Sequence, residues 1–174
     1  MPKYAKIEFE RKFLLPGLPQ EIGPDFRIIC DLYISRTTLR LRHVTDPGGL
    51  HEVFKLTQKK QEHGAMWITS IYLSADEFRL LSATPGLRLT KKRYRFAADS
   101  KVGVDVIDLP SGPVVIAEVE GDSEESISGS FSFLSPIREV TDDERYSGFS
   151  LARRFSEEEP NRASATVPSG HGSP

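Results

Sequence analysis

Apolar and charged residues alternate along most of this chain. In "KIEFERKFLL" (6–15), Glu8, Glu10 and Lys12 take every second position, and Ile7, Phe9 and Phe13 fill places between them. On a strand this spacing puts the charges on one face and the apolar groups on the other. The pattern predicts a strand over 5–14 and others at about 32–44, 50–60, 65–73, 88–97, 101–108, 113–121 and 137–141, with a break near Ser35. Turn chemistry separates them: Asp46-Pro47-Gly48-Gly49, Pro85-Gly86, Asp99-Ser100 and Pro110-Ser111-Gly112-Pro113. Two stretches predict helices. "SADEFRLLSA" (74–83) opens with Ser74 and, three residues on, Glu77, a capping-box arrangement ahead of an apolar stripe of Phe78, Leu80 and Leu81. "DDERYSGFSLARRF" (142–155) offers Asp142 or Asp143 as cap and ends on Arg153 and Arg154, as the helix dipole favours, with Gly148 as a weak point. Residues 123–134 are Ser-rich and decide nothing. From Ser156 onward aromatics are absent and Val is the one branched aliphatic, which predicts a disordered tail over 156–174 behind a single domain, 1–155.

The same alternation returns strand after strand. Arg40 and Arg42 alternate with Leu39 and Leu41. Lys55, Thr57 and Lys59 alternate with Phe54 and Leu56, and Lys91, Arg93 and Arg95 with Lys92, Tyr94 and Phe96. Asp105 stands between Val104 and Val106, and Glu118 and Glu120 flank Val119. Taken singly, each is an ordinary half-exposed strand with its charges in water. Taken together, the charges are sorted. Acids gather on the first, sixth and seventh strands and bases on three others. Like charges at neighbouring same-face positions repel unless opposite charge lies between them. A polyanion needs many bases and a divalent metal needs clustered carboxylates, so a chamber holding both would bind a metal–polyphosphate complex. The sheet is then expected to curl with its charged face inward, as a barrel with a polar tunnel, and its apolar outer face to be covered by the helices.

Bulk properties narrow the classes. The chain has 174 residues, 28% of them charged and 38% hydrophobic, with a formal net charge of -2. That balance fits a soluble protein and does not describe a nucleic-acid binder. Cys30 is the one cysteine, which excludes an internal disulfide or a Cys-based zinc site and fits a reducing, cytoplasmic setting. No apolar run approaches the ~20 residues of a membrane helix, and the N-terminus enters a charged strand with no secretory h-region. Phosphate-loop and dinucleotide fingerprints are absent, and His51-Glu52 lacks a second His at zinc-protease spacing.

The ordered set of motifs resembles the CYTH superfamily, the triphosphate tunnel metalloenzymes, and is most similar to its short bacterial members. The likeness spans residues 5 to about 152: Glu8-x-Glu10-x-Lys12, then "YIS" (33–35) and "TLRLR" (38–42), "KLTQK" (55–59), "KKRY" (91–94), "VDV" (104–106), "AEVE" (117–120) and "EVTDDERYSGFSLA" (139–152). The resemblance implies an α+β fold: a closed eight-stranded antiparallel β-barrel with a polar, charged interior and helices packed outside. It implies Mg²⁺ or Mn²⁺ as cofactor and a triphosphate-containing small molecule as partner, with no nucleic acid and no membrane. Glu8, Glu10, Asp105, Glu118 and Glu120 would then be metal acids. Lys12, Arg40, Arg42, Lys59, Lys91 and Arg93 would hold phosphates, with Lys55, Arg95 and Tyr33 as further contacts. Glu8, Glu10, Lys12, Glu118 and Glu120 would be the catalytic set.

One departure stands out. Many members carry a second Glu-x-Glu before the first helix, whereas "MWITSIYLS" (66–74) places Ser70 and Tyr72 there. Three readings follow: metal-dependent hydrolysis of a triphosphate such as inorganic tripolyphosphate, cyclisation of ATP as in class IV adenylyl cyclases, or non-catalytic polyphosphate binding. The short "DLYISRTTLRLR" (31–42) is unlike the longer segment of those cyclases.

Overall fold

A computed structural model describes residues 4–62, 65–96, 99 and 101–165. Its strands are β1 (Lys6–Ile7), β2 (Phe9–Leu15), β3 (Ile22–Ile34), β4 (Leu39–Thr45), β5 (Glu52–Glu62), β6 (Ala65–Leu73), β7 (Gly86–Phe96), β8 (Val102–Leu109), β9 (Gly112–Gly121) and β10 (Arg138–Glu139). The helices are α1 (Ala75–Ser82) and α2 (Gly148–Ala165), with short 3₁₀ turns at Glu125–Ile127, Ser132–Leu134 and Glu144–Tyr146.

The strands form one antiparallel sheet in the order β1-β6-β5-β4-β3-β7-β8-β9-β2-β10. This corrects the closed eight-stranded barrel expected from the sequence: among the described residues the ladder has ten strands and is open. Its ends are the two-residue strands β1 and β10. The cause lies in the first segment, which is interrupted at Glu8. β1 pairs with β6, while β2 pairs with β9. The other edge of β2 is taken by the C-terminal segment, where the Val140 and Ile137 amides donate to the Lys12 and Leu14 carbonyls. Arg11 fastens that segment with a two-point contact to Glu139. The sheet nevertheless curls, and its inner face surrounds a cavity of about 860 Å³.

The break expected near Ser35 is a tight turn between β3 and β4, with Arg36 at φ 60° and the Thr37 hydroxyl donating to the Ile34 carbonyl. β3 starts ten residues before the expected strand, at Ile22. The capping box of α1 is formed: Glu77 accepts from the Ser74 amide at 2.7 Å, and the Ser74 hydroxyl accepts from the Glu77 amide. The first helical segment after 140 differs from expectation. Asp143 caps only the 3₁₀ turn, and α2 begins after Ser147, whose hydroxyl accepts from the Ser150 amide. The expected tail boundary at Ser156 also moves, because α2 continues to Ala165. Arg154 pairs with Glu158 one turn on, and Glu158 accepts from the Ser111 amide, which ties this turn to the β8–β9 hairpin. Residues 166–174 lie outside the described residues.

Both faces of the sheet are covered. On the outer face, Phe13, Val104, Ala117 and Val119 pack beneath Ile127 and Leu134 of the 3₁₀ segment. Leu32, Ile34 and Leu41 pack beneath Phe78 and Leu81 of α1. Leu80, expected in that stripe, is exposed. Each fully buried aliphatic side chain here contributes on the order of 1.5–3 kcal/mol. Helix α2 corrects the expectation that the helices pack outside. Its Leu151 and Ala152 cover Leu89, Ile107 and Ile116. By strand alternation these share a face with Lys91, Asp105 and Glu118. The inner face is therefore charged over one half and apolar over the other, and α2 seals the apolar half.

Candidate functional site

The charged half of the inner face lines the cavity. β2 contributes Glu10 and Lys12, with Glu8 just before it, β3 contributes Tyr33, β4 Arg40 and Arg42, β5 Lys59, β7 Lys91, and β9 Glu118 and Glu120. Antiparallel register produces the sorting: Glu10 lies opposite Glu120, and Lys12 opposite Glu118. Glu10, Glu118 and Glu120 each offer an oxygen within 4.8 Å of the others, a donor set that could hold a metal ion. Hard oxygen donors of this kind suit Mg²⁺ or Mn²⁺.

The carboxylates are not left to repel one another. Lys12 Nζ lies 2.8 Å from Glu10, and Arg93 bonds Glu118 directly and reaches Glu120 at 3.3 Å. Burial and the neighbouring Glu118 raise the Glu10 carboxyl above its usual range. Burial works in the same direction on Glu118, but Arg93, Lys91 and Lys12 outweigh it and hold that carboxylate well below the usual range. Burial also disfavours the charged Lys12, and there Glu10 and Glu118 prevail and keep it an ammonium. One acid of the group is thus easy to protonate and another hard.

Two of the expected metal acids are placed differently. Glu8 accepts from Lys59 at 2.5 Å and lies outside the three-carboxylate group. Asp105 is only 1% exposed and is occupied by Lys91 and by the Arg93 fork. Among the expected phosphate contacts, Arg93 sits behind the acids, Lys55 lies against the Tyr72 ring, and Arg95 is exposed beside Gly103. Tyr33 reaches the cavity and packs edge-on against Phe149. Ser70 faces inward as expected and its hydroxyl meets that of Thr57 at 2.9 Å.

The sequence reading missed Asp31, a buried carboxylate on β3 that grips Arg42 at 2.6 and 2.8 Å. The signal was there: Ile29, Asp31 and Tyr33 alternate with Cys30 and Leu32, but Pro24 and Asp25 obscure the strand's start. It also missed the segment from Thr141 to Phe149, which forms part of the cavity wall. Arg40 differs from its neighbours. Its Nε is buried with no hydrogen-bond partner, 3.8 Å from the nearest Asp31 oxygen.

No protein-family model and no curated protein sequence matches the chain. Solved structures do. The inorganic triphosphatase NE1496 is 26% identical with a TM-score of 0.50, over 83% of this chain and 93% of that one. A putative adenylate cyclase from Bacillus halodurans is 19% identical with a TM-score of 0.53, over 85% and 92%. The PH1819 protein from Pyrococcus horikoshii OT3 is 19% identical with a TM-score of 0.55, over 83% and 97%. The last two speak to the fold alone. That shared fold carries the charged strands in the order that first suggested the affiliation, and the fold of the chain matches that of the CYTH superfamily.

Proposed function

We propose that the chain is a divalent-metal-dependent phosphohydrolase acting on triphosphates, with inorganic tripolyphosphate as the preferred substrate. The observation that carries this reading is the facing of two walls across one cavity. Glu10, Glu118 and Glu120 stand together on one side, and Arg40, Arg42, Lys59 and Lys91 come from other strands. The likeness to the triphosphatase NE1496 points the same way.

Arg40 and Arg42 supply guanidinium donors, and Lys59 and Lys91 supply point charges, for oxygens along a phosphate chain. Such contacts read charge and length rather than a nucleobase. The unpartnered Nε of Arg40 is a donor waiting for an acceptor. Glu10, Glu118 and Glu120 would hold Mg²⁺ or Mn²⁺, and the ion would add neutralising charge and orientation for the terminal phosphate. Glu8 and Asp105 have the role of holding Lys59, Lys91 and Arg93 in place. Catalysis by the chain itself then consists of positioning and charge stabilisation for in-line attack by water.

A binding-only reading has one observation in its favour. The inner positions of β6 are Met66, Ile68, Ser70 and Tyr72, so this strand brings no acid to the cavity. A phosphate-release screen decides. Tripolyphosphate, pyrophosphate, ATP and thiamine triphosphate are tested with Mg²⁺ and with Mn²⁺, with cyclic AMP measured in parallel. The expected result is metal-dependent phosphate release, greatest with tripolyphosphate. Tight tripolyphosphate binding with no release of phosphate would leave a binding module. Cyclic AMP from ATP would establish a cyclase.

A further inference from the structure

Asp31 belongs to none of the motifs that mark this cavity, yet it is the carboxylate in most direct control of the basic wall on β4. Its strand register sets it opposite Arg42, with Tyr33 opposite Arg40. Its side chain is withdrawn from solvent, and on the β7 side its neighbour is Leu89. Both carboxylate oxygens are engaged by one guanidinium, Nε at 2.6 Å and Nη2 at 2.8 Å. The Nη1 of Arg42 is not used by Asp31. Arg40, one turn of the alternation away, is within ion-pair range at 3.8 Å but makes no hydrogen bond through Nε.

A buried ion pair is a poor way to gain stability, because an apolar pair of similar volume often does as well. Its distinctive effect is geometric, since a planar fork held at two points keeps one orientation. We propose that Asp31 is a positioning residue for anion binding: it locks the Arg42 guanidinium in one orientation at the cavity wall and leaves the Nε of Arg40 as the uncommitted donor of the same strand. The proposal rests on the triphosphate reading for the identity of the anion. Asp31 has a second, opposing effect, because its charge cancels that of Arg42. The two effects predict opposite signs. If Asp31 only neutralises, its removal strengthens polyanion binding. If it positions, its removal weakens binding although the cavity becomes more positive.

The test is a double-mutant cycle of wild type, Asp31→Asn, Arg42→Ala and the double variant. Calorimetry with inorganic tripolyphosphate in EDTA is paired with NMR of the Arg42 Nε–H. Arg42→Lys, which keeps the charge but cannot make the two-point contact, serves as a second variant should Asp31→Asn fold poorly. Positioning predicts about a tenfold loss of affinity for Asp31→Asn and for Arg42→Lys. It predicts less than a twofold further effect of Asp31→Asn in the Arg42→Ala background, a non-additivity that coupled neighbours show. A slowly exchanging Arg42 Nε–H in wild type should become fast in Asp31→Asn. Unchanged or tighter binding, or equal losses in both backgrounds, overturns the proposal. Absence of tripolyphosphate binding by wild type both in EDTA and with Mg²⁺ overturns the triphosphate reading instead. The NMR comparison then decides on Asp31, with persistent protection in Asp31→Asn counting against it.

Discussion

At the scale of single residues, the acids and bases of the cavity are expected to fail differently. Glu118→Ala or Glu120→Ala removes a member of the three-carboxylate group while the basic wall remains. Metal-dependent phosphate release should collapse, and tripolyphosphate binding without metal should hold or tighten, because a repelling carboxylate has gone. Arg40→Ala removes a phosphate donor present in both ground and transition states, so binding should weaken by about 1.5–3 kcal/mol, the range for a hydrogen bond to a charged group. Calorimetry beside phosphate release checks both. A separate expectation concerns pH. Burial would raise the Asp31 carboxyl, but Arg42 outweighs it and holds it below the usual aspartate range. A depressed folded-state value means a stabilising contribution that is complete above the unfolded value and lost as pH falls through the folded one. The stability difference between wild type and Asp31→Asn should therefore be greatest near neutrality and shrink below about pH 4. Urea denaturation from pH 7 to pH 3 measures it, and a difference that grows on acidification would contradict the assigned pairing.

At the scale of elements, helix α2 connects the fold to the site. Its body seals the apolar half of the inner face through Leu151 and Ala152, and its first residues, Gly148 and Phe149, belong to the cavity wall. The approach at Gly148 leaves no room for a Cβ, which would run into the Tyr33 hydroxyl. Gly148→Ala should force either Tyr33 or the start of α2 to shift, at a cost of roughly 1–3 kcal/mol as for other overpacked positions. Tyr33→Phe removes the clashing oxygen, so the double variant should recover most of the lost melting temperature. A double variant no more stable than Gly148→Ala would show that the strain lies in the backbone of α2 and not at this contact. The weak helical signal at Gly148 thus has a packing reason that helix propensity alone does not reveal.

At the scale of the whole molecule, a chain of net charge -2 is expected to bind a polyanion. The charge that matters is local: bases sorted to one face, with Asp31 and Asp105 withdrawn beneath them. Binding should stabilise the fold by mass action. Tripolyphosphate at about a hundred times its dissociation constant corresponds to about 2.7 kcal/mol, which is readable as a rise in melting temperature. The rise should shrink between 0.15 M and 1 M salt, as screening shortens from about 8 to 3 Å, and should be smaller in Arg40→Ala. An equal rise in wild type and Arg40→Ala would place the anion elsewhere. None of the helices among the described residues is long and apolar enough to cross a membrane.

Local pattern was enough to show that the strands exist, that Glu8, Glu10, Lys12, Arg40, Arg42 and Glu118 share inward faces, and which superfamily their order resembles. Period-two alternation is a property of neighbours in sequence, and each strand carries it without reference to any other. The remaining features depend on partners far away in the chain. Whether the sheet closes was decided by the interruption at Glu8, which sends β1 to β6 and β2 to β9, with residues 137–140 on the other edge of β2, pairings no local pattern specifies. Whether α2 lies inside or outside was decided by Leu89, Ile107 and Ile116, which alternate like core residues but sit on the charged face. Which carboxylates come together was decided by the folded register: Glu10, Glu118 and Glu120 meet, while Glu8 turns to Lys59, Asp105 is enclosed by Lys91 and Arg93, and Asp31 by Arg42. Sequence shows the sign and the face of each charge; the pairing between charges is a matter of distances that only the folded register sets.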